Sequence, residues 1–179
     1  MNRVLRTLLP SAAAALFFSQ ATALAADRDH TFFKSVRGEW VGPGEIVAGK
    51  YKGTKFTCTL TGAAHSDKVG MTLGGSCRVG VFSQKMSASI VRHGKGYRGT
   101  FLDGASGKGL DIVGGNINGS RAVMSLNRDK LNGAMLARMK GNDAMNVTVS
   151  VRVNKELVPV IGMNLKRVDA TAVGAVSRK

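Results

Sequence analysis

Glycine-punctuated alternation dominates this chain from Gly38 onward. Short runs rich in β-branched residues are separated by glycines about every eight to twelve residues, a spacing typical of an all-β sandwich or barrel. The cleanest run is MNVTVSVRVN at 145–154, where methionine and valines share one face and polar residues share the other. With 23 glycines and only 3 prolines, the composition suits tight hairpins better than disorder.

These runs divide the chain into consecutive strands. We predict them at 38–48, 53–63, 70–80, 84–92, 96–102, 108–117, 120–127, 133–140, 144–154 and 160–168. A meander of this length has two exposed edges unless it closes on itself. We therefore predict an all-β fold, an antiparallel meander of eight to ten strands closed as an up-and-down β-barrel, with a flattened β-sandwich as the alternative. A short helical turn before the first strand would place Phe32, Phe33 and Val36 on one side.

The two cysteines, Cys58 and Cys77, predict the register of one hairpin. If KFTCTLTG and LGGSCRVG are adjacent antiparallel strands, a turn centred between Asp67 and Lys68 places the cysteines directly opposite each other. An even cysteine count in an exported protein indicates a disulfide, with two free thiols as the alternative. Turn composition, alternation and cysteine spacing all select this one register.

The N-terminus indicates export. A basic start is followed by an apolar run of about ten residues and by Ala23-Leu24-Ala25, a pattern that signal peptidases cleave. The run is about half the length needed to cross a bilayer, and no later segment is long and apolar enough to do so as a helix. We predict a signal peptide at 1–25, one barrel domain at 26–169 and a disordered basic tail at 170–179, located in the periplasm of a Gram-negative bacterium or secreted.

The strong positive charge suggests the class of partner. The full chain has a net charge of +15, and cleavage removes two arginines and no acid, which leaves +13. Such a field attracts anionic surfaces, so we expect an anionic lipid, lipopolysaccharide, an acidic polysaccharide or an envelope protein as partner. Nucleic acid is not expected outside the cytoplasm, and a role of the charge in solubility alone is the alternative. Candidate anion contacts are Lys50, Lys52, Lys55, Arg92, Lys95 and Arg98.

Catalytic patterns are missing from the sequence. His30, His65 and His93 are far apart and none has metal-ligand spacing with another. No nucleophile elbow is present, and oxidised cysteines exclude a thiolate nucleophile. We predict no enzyme, no metal and no cofactor. The methionines of the exported chain either fill an irregular core or line an adaptable cavity.

The segment GEWVGPGEIVAGK at 38–50 contains the only tryptophan. Gly38-Glu39-Trp40 resembles the Gly-x-Trp opening of lipocalin-type barrels, which implies that Trp40 closes one barrel end. We expect Trp40 to pack against Phe32 and Phe33 as a plug. Because proline cannot donate to a central ladder, we expect Gly42-Pro43-Gly44 to form a bend or bulge in an edge-exposed stretch.

The wider layout is similar to small uncharacterised exported proteins of alphaproteobacteria, a resemblance that implies an envelope location. The chain also resembles small periplasmic inhibitors of secreted metalloproteases, in which an N-terminal arm enters the protease cleft. We expect a non-enzymatic envelope protein that binds an anionic or amphipathic partner. The alternatives are a protease inhibitor acting through its N-terminal arm at 26–33 and a structural or assembly factor of the envelope.

Overall fold

A computed structural model describes residues 20–102 and 110–168, with side chains from residue 27 onward. One helix precedes ten strands in these ranges. The elements are α1 (Gln20–Ser35), β1 (Gly38–Ile46), β2 (Lys55–Ala64), β3 (Gly70–Val79), β4 (Phe82–His93), β5 (Gly96–Leu102), β6 (Leu110–Asn118), β7 (Arg121–Arg128), β8 (Leu131–Lys140), β9 (Ala144–Val153) and β10 (Glu156–Val168). The predicted tail at 170–179 and most of the predicted signal peptide lie outside the described residues.

The strands form a closed barrel. Each strand pairs antiparallel with the next, and β10 returns to pair with β1. The predicted up-and-down barrel is therefore confirmed with ten strands, and the flattened sandwich is wrong. Closure leaves no unpaired strand edge, the physical reason for expecting it. Register shifts in β6, between Ile112 and Gly114, and in β10, between Pro159 and Ile161, mark bulges of the kind that curve a sheet.

The β2–β3 hairpin has the predicted register. Cys58 pairs with Cys77 and Leu60 with Gly75 across the ladder, and the two cysteines form a disulfide. The connection at 65–69 is the polar turn expected there. Alternation and the disulfide specify the same pairing, because a slip of one strand by one residue would turn its cysteine to the opposite face from its partner.

Antiparallel strand order gives the barrel two distinct ends. The first, which we call the closed end, carries α1 and the connections at 65–69, 94–95, 119–120 and 141–143. The second, which we call the open end, carries the connections at 47–54, 80–81, 129–130 and 154–155, and β5 ends and β6 begins there. At the two-residue turns that begin with Asp129 and Asn154, the first residue has positive φ, a conformation that aspartate and asparagine tolerate.

Three local expectations need correction. The helix is longer than the single turn expected, because the alanine-rich segment before Asp27 continues it. The turn between the strands predicted at 108–117 and 120–127 lies at Gly119 and Ser120 and not at 118–119, because Asn118 pairs with Arg121. The prediction of a bend at Gly42-Pro43-Gly44 is wrong, because β1 pairs with β2 through all three residues without a register shift.

Glycine is needed in β1 for close approach of the strands. A Cβ at Gly42 would lie 2.0 Å from the backbone oxygen of Asn164 on β10. A Cβ at Gly44 would lie 2.2 Å from the ring of Phe56 on β2. The two glycines thus allow β1 to lie close to β10 and to the Phe56 ring, where a larger residue would force these groups apart. Pro43 leaves a gap in the pairing with β10, where Val41 and Gly44 are the paired residues on either side.

Most of the buried apolar side chains lie in the half of the barrel nearer the closed end, among them the fully buried Phe33, Trp40 and Leu165. The interior thus has a packed region beneath α1 and a second region toward the open end.

Within residues 20–102 and 110–168, no helix has the length and apolar character that crossing a membrane would require.

Candidate functional site

The closed end is sealed by aromatic side chains from α1 and the first strand. Trp40 is completely buried, and its indole Nε1 donates a hydrogen bond to the carbonyl of Val36, 2.9 Å away. Phe33 packs edge-to-face against Phe32 and against Tyr97 of β5, with ring centroids 5.8 and 5.6 Å apart. The three predicted plug residues, Phe32, Phe33 and Trp40, thus all lie in the core at this end.

A buried carboxylate fixes α1 to the barrel. Asp29 accepts a hydrogen bond from the phenol of Tyr97 at 2.5 Å and from Nη1 of Arg92 at 2.9 Å. Burial in the first place, and then the hydrogen bond to Asp29, raise the pKa of Tyr97 above its ordinary value. Sequence reasoning missed this contact. The available signal was helical spacing, since Asp29 lies three and four residues before Phe32 and Phe33 and so shares their buried face.

Arg167 of β10 closes the remaining gap at this end. Its guanidinium lies 4.3 Å from the centroid of the Trp40 ring and donates to the backbone carbonyls of Ser35, Arg37 and Asn142. A cation at the carbonyl end of a helix is also favoured by the helix dipole. The closed end is consequently held together by hydrogen bonds, an ion pair and a cation–π contact.

The open end holds a cavity of about 300 Å³ inside the barrel wall. Eleven residues line it, all apolar or sulfur-containing except one glutamine: Ile46, Phe56, Cys77, Val79, Gln84, Met86, Phe101, Leu110, Val149, Ile161 and Met163. This volume is at the lower limit of ligand pockets, which span roughly 300–1,000 Å³ and are mostly apolar with a few polar groups. The cavity is therefore suited to an apolar group rather than to a polar or charged one.

The cavity wall combines a rigid disulfide with flexible methionine side chains. The disulfide forms part of the wall, because Cys77 lines the cavity while the Sγ of Cys58 lies 3.9 Å from the Sδ of Met163. Met86 and Met163 are unbranched and polarizable, so they adjust to ligands of different shape. Of the two uses foreseen for the methionines, core filling and cavity lining, the molecule has both: Met124 and Met145 are buried in the core.

The predicted anion contacts divide between the two ends of the barrel. Lys50 and Lys52 lie in the β1–β2 connection at the open end, and Lys55 begins β2 beside it. Arg92, Lys95 and Arg98 lie at or near the closed end, where Arg92 forms an ion pair with Asp29. The six residues therefore do not form one site, and only the first three lie near the cavity.

The three histidines all belong to the closed end. His30 lies in α1, His65 follows β2 and His93 ends β4. In the part of the chain that the structure describes, no group of three or more histidine, cysteine, aspartate or glutamate side chains is placed to hold a metal ion. The cavity itself offers apolar side chains and one amide, and the lysines and Glu45, which pairs with Lys55 in the β1–β2 ladder, lie outside it.

No family model matches the sequence, and no curated protein matches it either.

Proposed function

We propose that this chain is a non-enzymatic protein of the bacterial envelope that binds an anionic amphipathic molecule at the open end of its barrel. The apolar part of the ligand occupies the cavity, and its anionic group lies outside among Lys50, Lys52 and Lys55. At roughly 30 Å³ for each water-sized group, the cavity has room for about ten such groups. That is enough for part of one acyl chain.

The single observation that carries the proposal is the difference between the two barrel ends. A solid interior would favour a partner that binds only the outer surface. Here the closed end is packed by Trp40 and Phe33, whereas the open end keeps an apolar cavity beside Phe56 and Met163. An apolar cavity of this kind stabilises an acyl chain by removing it from water, about 0.8 kcal/mol for each buried methylene.

Charge supports an anionic headgroup. The β1–β2 connection at 47–54 carries Lys50 and Lys52 and no acidic residue. Both lysines are exposed, and the side chain of Gln84 adds an amide that can hydrogen-bond a headgroup oxygen at the cavity wall. An anionic group near these lysines gains attraction that salt weakens, so ligand affinity should fall with ionic strength.

The periplasmic location is part of the proposal. The Cys58–Cys77 disulfide is typical of an oxidising compartment, and the signal-peptide pattern at 1–25 is consistent with export. The Gly-x-Trp opening resembles that of lipocalin-type barrels, which hold small ligands inside eight strands, whereas this barrel closes with ten.

The alternative of a protease inhibitor acting through residues 26–33 has less support. Residues 27–33 lie in α1, where Asp29 bonds to β4 and β5 and Phe32 and Phe33 are buried. Such an arm would have to leave the barrel, with the loss of these contacts, before it could enter a cleft. The assembly role remains an alternative that concerns the outer surface instead of the cavity.

Calorimetric titration with three single-chain amphiphiles tests the proposal: decanoate, decanol and decyltrimethylammonium. We expect decanoate to bind most tightly, decanol less tightly and the cationic amphiphile most weakly. Val149→Phe and Met86→Phe each place a ring into the cavity, and each should weaken decanoate binding at least tenfold. Val113→Phe is the matched control, because Val113 lies on the outer face of β6 with 57% of its surface exposed.

Mass spectrometry of protein purified under native conditions from its own envelope provides the second test. A co-purified lipid that is lost in Val149→Phe would support the cavity as its site. Decanoate affinity that is unchanged in both cavity variants, or equal affinity for the three amphiphiles, would contradict the proposal.

A further inference from the structure

Exposed apolar side chains are concentrated at the open end of the barrel. Among the described residues, ten large apolar side chains are exposed, and nine of them lie at this end. We call these nine the apolar rim: Val47, Tyr51, Val79, Val81, Phe82, Leu102, Leu131, Val153 and Leu157. The tenth, Val113, lies on the barrel wall. Contiguous exposed apolar surface on a soluble domain marks an interaction site.

The rim surrounds the mouth of the cavity instead of forming a stripe along the wall. Every described connection at the open end contributes to it or is flanked by it, from 47–54 through 154–155. The most exposed members are Val81 at 90%, Phe82 at 78% and Tyr51 at 63%. All three lie in or next to connections at the open end, on the side of the barrel where the cavity opens.

Lysines alternate with the rim. The open-end connections 47–54, 80–81, 129–130 and 154–155 contain four lysines, Lys50, Lys52, Lys130 and Lys155, and one acid, Asp129. The closed-end connections 65–69, 94–95, 119–120 and 141–143 contain two lysines, Lys68 and Lys95, balanced by two acids, Asp67 and Asp143. None of the exposed large apolar side chains of the described residues lies in these closed-end connections.

We infer that the open end docks onto the surface of an anionic lipid bilayer. The apolar rim enters the headgroup region, and the four lysines contact lipid phosphates. Apolar side chains combined with lysines are the pattern by which proteins bind such interfaces, where lysine stems bury their methylenes and keep the ammonium in water. The ammonium of Lys50 already lies 5.5 Å from the centroid of the Tyr51 ring, an aromatic with a polar tip suited to this boundary.

Docking in this orientation deepens the proposed function, because the cavity mouth then faces the bilayer from which an amphipathic ligand would come. That entry step rests on the proposed function, whereas docking itself stands on the rim and its lysines. A protein partner with an anionic, apolar surface is a separate possibility. Binding to protein-free lipid vesicles distinguishes the bilayer from such a protein.

Co-sedimentation with lipid vesicles tests the rim. Wild-type protein should bind vesicles of phosphatidylcholine and phosphatidylglycerol and bind phosphatidylcholine alone much more weakly. The double variant Val81→Ser/Phe82→Ser should bind the anionic vesicles at least tenfold more weakly, since it removes the two most exposed apolar side chains. Val113→Ser, an exposed valine of the wall, is the matched control and should bind as the wild type does.

Matched charge variants test the orientation. The open-end variant replaces Lys50, Lys52, Lys130 and Lys155 with glutamine. The closed-end variant replaces Lys34, Lys68, Lys95 and Lys140, which are equally exposed and remove the same charge. Each lysine near an anionic surface contributes about fivefold in affinity. We expect a loss above a hundredfold in the open-end variant and a loss below tenfold in the closed-end variant.

The outcomes separate docking from ligand binding. Val81→Ser/Phe82→Ser should retain decanoate binding while losing vesicle binding, and Val149→Phe should do the reverse. Equal losses in the two lysine variants would overturn the inference in favour of uniform charge attraction. Unchanged vesicle binding in Val81→Ser/Phe82→Ser would also overturn it. So would the result that this variant loses only self-association, measured by sedimentation velocity, and still binds vesicles.

Discussion

Arg167 and Trp40 form a stacked cation–aromatic pair where the last strand meets the first. They pair directly in the β1–β10 ladder, and the guanidinium lies 4.3 Å from the centroid of the indole ring. The same guanidinium donates to the carbonyls of Ser35 and Asn142 at 2.7 and 2.9 Å. One side chain therefore connects the barrel seam, the end of α1 and the β8–β9 connection.

Arg167→Ala should destabilise the protein by about 2 kcal/mol, because it removes a cation–π contact and leaves helix-end carbonyls without donors. Arg167→Lys keeps the charge but loses the planar fork, so an intermediate effect is expected. Urea unfolding followed by tryptophan fluorescence measures this, since Trp40 is the only tryptophan. Lys166→Ala, at the exposed neighbouring residue, should change stability by less than about 0.5 kcal/mol; an equal loss there would contradict the role of Arg167.

Ionisation of Tyr97 should lower the free energy of unfolding at alkaline pH. Its pKa is raised, first by burial and then by the hydrogen bond to Asp29, although Arg92 acts in the opposite direction. In the unfolded chain a tyrosine ionises near its usual pKa of about 10, whereas in the folded barrel it remains protonated at that pH. The stability from neutral Tyr97 is therefore complete below about pH 10 and declines as the pH rises toward the folded pKa, by up to about 1.4 kcal/mol per pH unit.

Urea unfolding of the wild type and Tyr97→Phe across about pH 8–11 measures this contribution. The variant should be less stable near neutral pH by about 1 kcal/mol, because Asp29 loses a donor, and the difference should shrink above about pH 10. Tyr51→Phe is the control, since the Tyr51 side chain is 63% exposed. A difference between wild type and Tyr97→Phe that does not vary with pH would exclude the linkage.

The disulfide should contribute about 3 kcal/mol to the free energy of unfolding, because it closes a loop of 19 residues in the unfolded chain. The double variant Cys58→Ala/Cys77→Ala removes it without leaving thiols, and its urea midpoint should fall accordingly. Thr57→Ala/Arg78→Ala is a matched control, since these residues form the next pair of the ladder and both are exposed. The estimate fails if the two double variants are equally stable.

Much of the barrel follows from local sequence patterns. Strand alternation and glycine spacing depend on neighbours along the chain, and they predicted all ten strands within a few residues. The Cys58–Cys77 register followed from one hairpin for the same reason. Closure also follows, because consecutive hairpins without crossovers leave two edges that must meet or stay exposed.

The features of the two barrel ends required long-range information. Arg167 bonds to the carbonyl of Arg37, which is 130 residues away in the chain, so no local pattern marks that contact. The cavity is lined from eight strands, and its size depends on the volumes of the side chains that fill the interior and not on alternation along any one strand. The division of the basic residues between the ends was derivable, since each strand of a meander reverses direction and alternate connections share an end.

Close strand approach at Gly42 gives the last prediction. A Cβ there would lie 2.0 Å from the backbone oxygen of Asn164, and backbone in a closed barrel has little room to shift. Gly42→Ala should therefore destabilise the protein by at least about 2 kcal/mol, within the range of overpacked cores. Gly74→Ala is the matched control, because Gly74 also lies within a strand and a Cβ there meets nothing within 4 Å. Alanine lowers the conformational entropy of the unfolded chain relative to glycine, so Gly74→Ala should be neutral or slightly stabilising. Thermal unfolding of the two variants beside the wild type measures the difference, and equal melting temperatures would show that β1 and β10 separate readily enough to admit a methyl group.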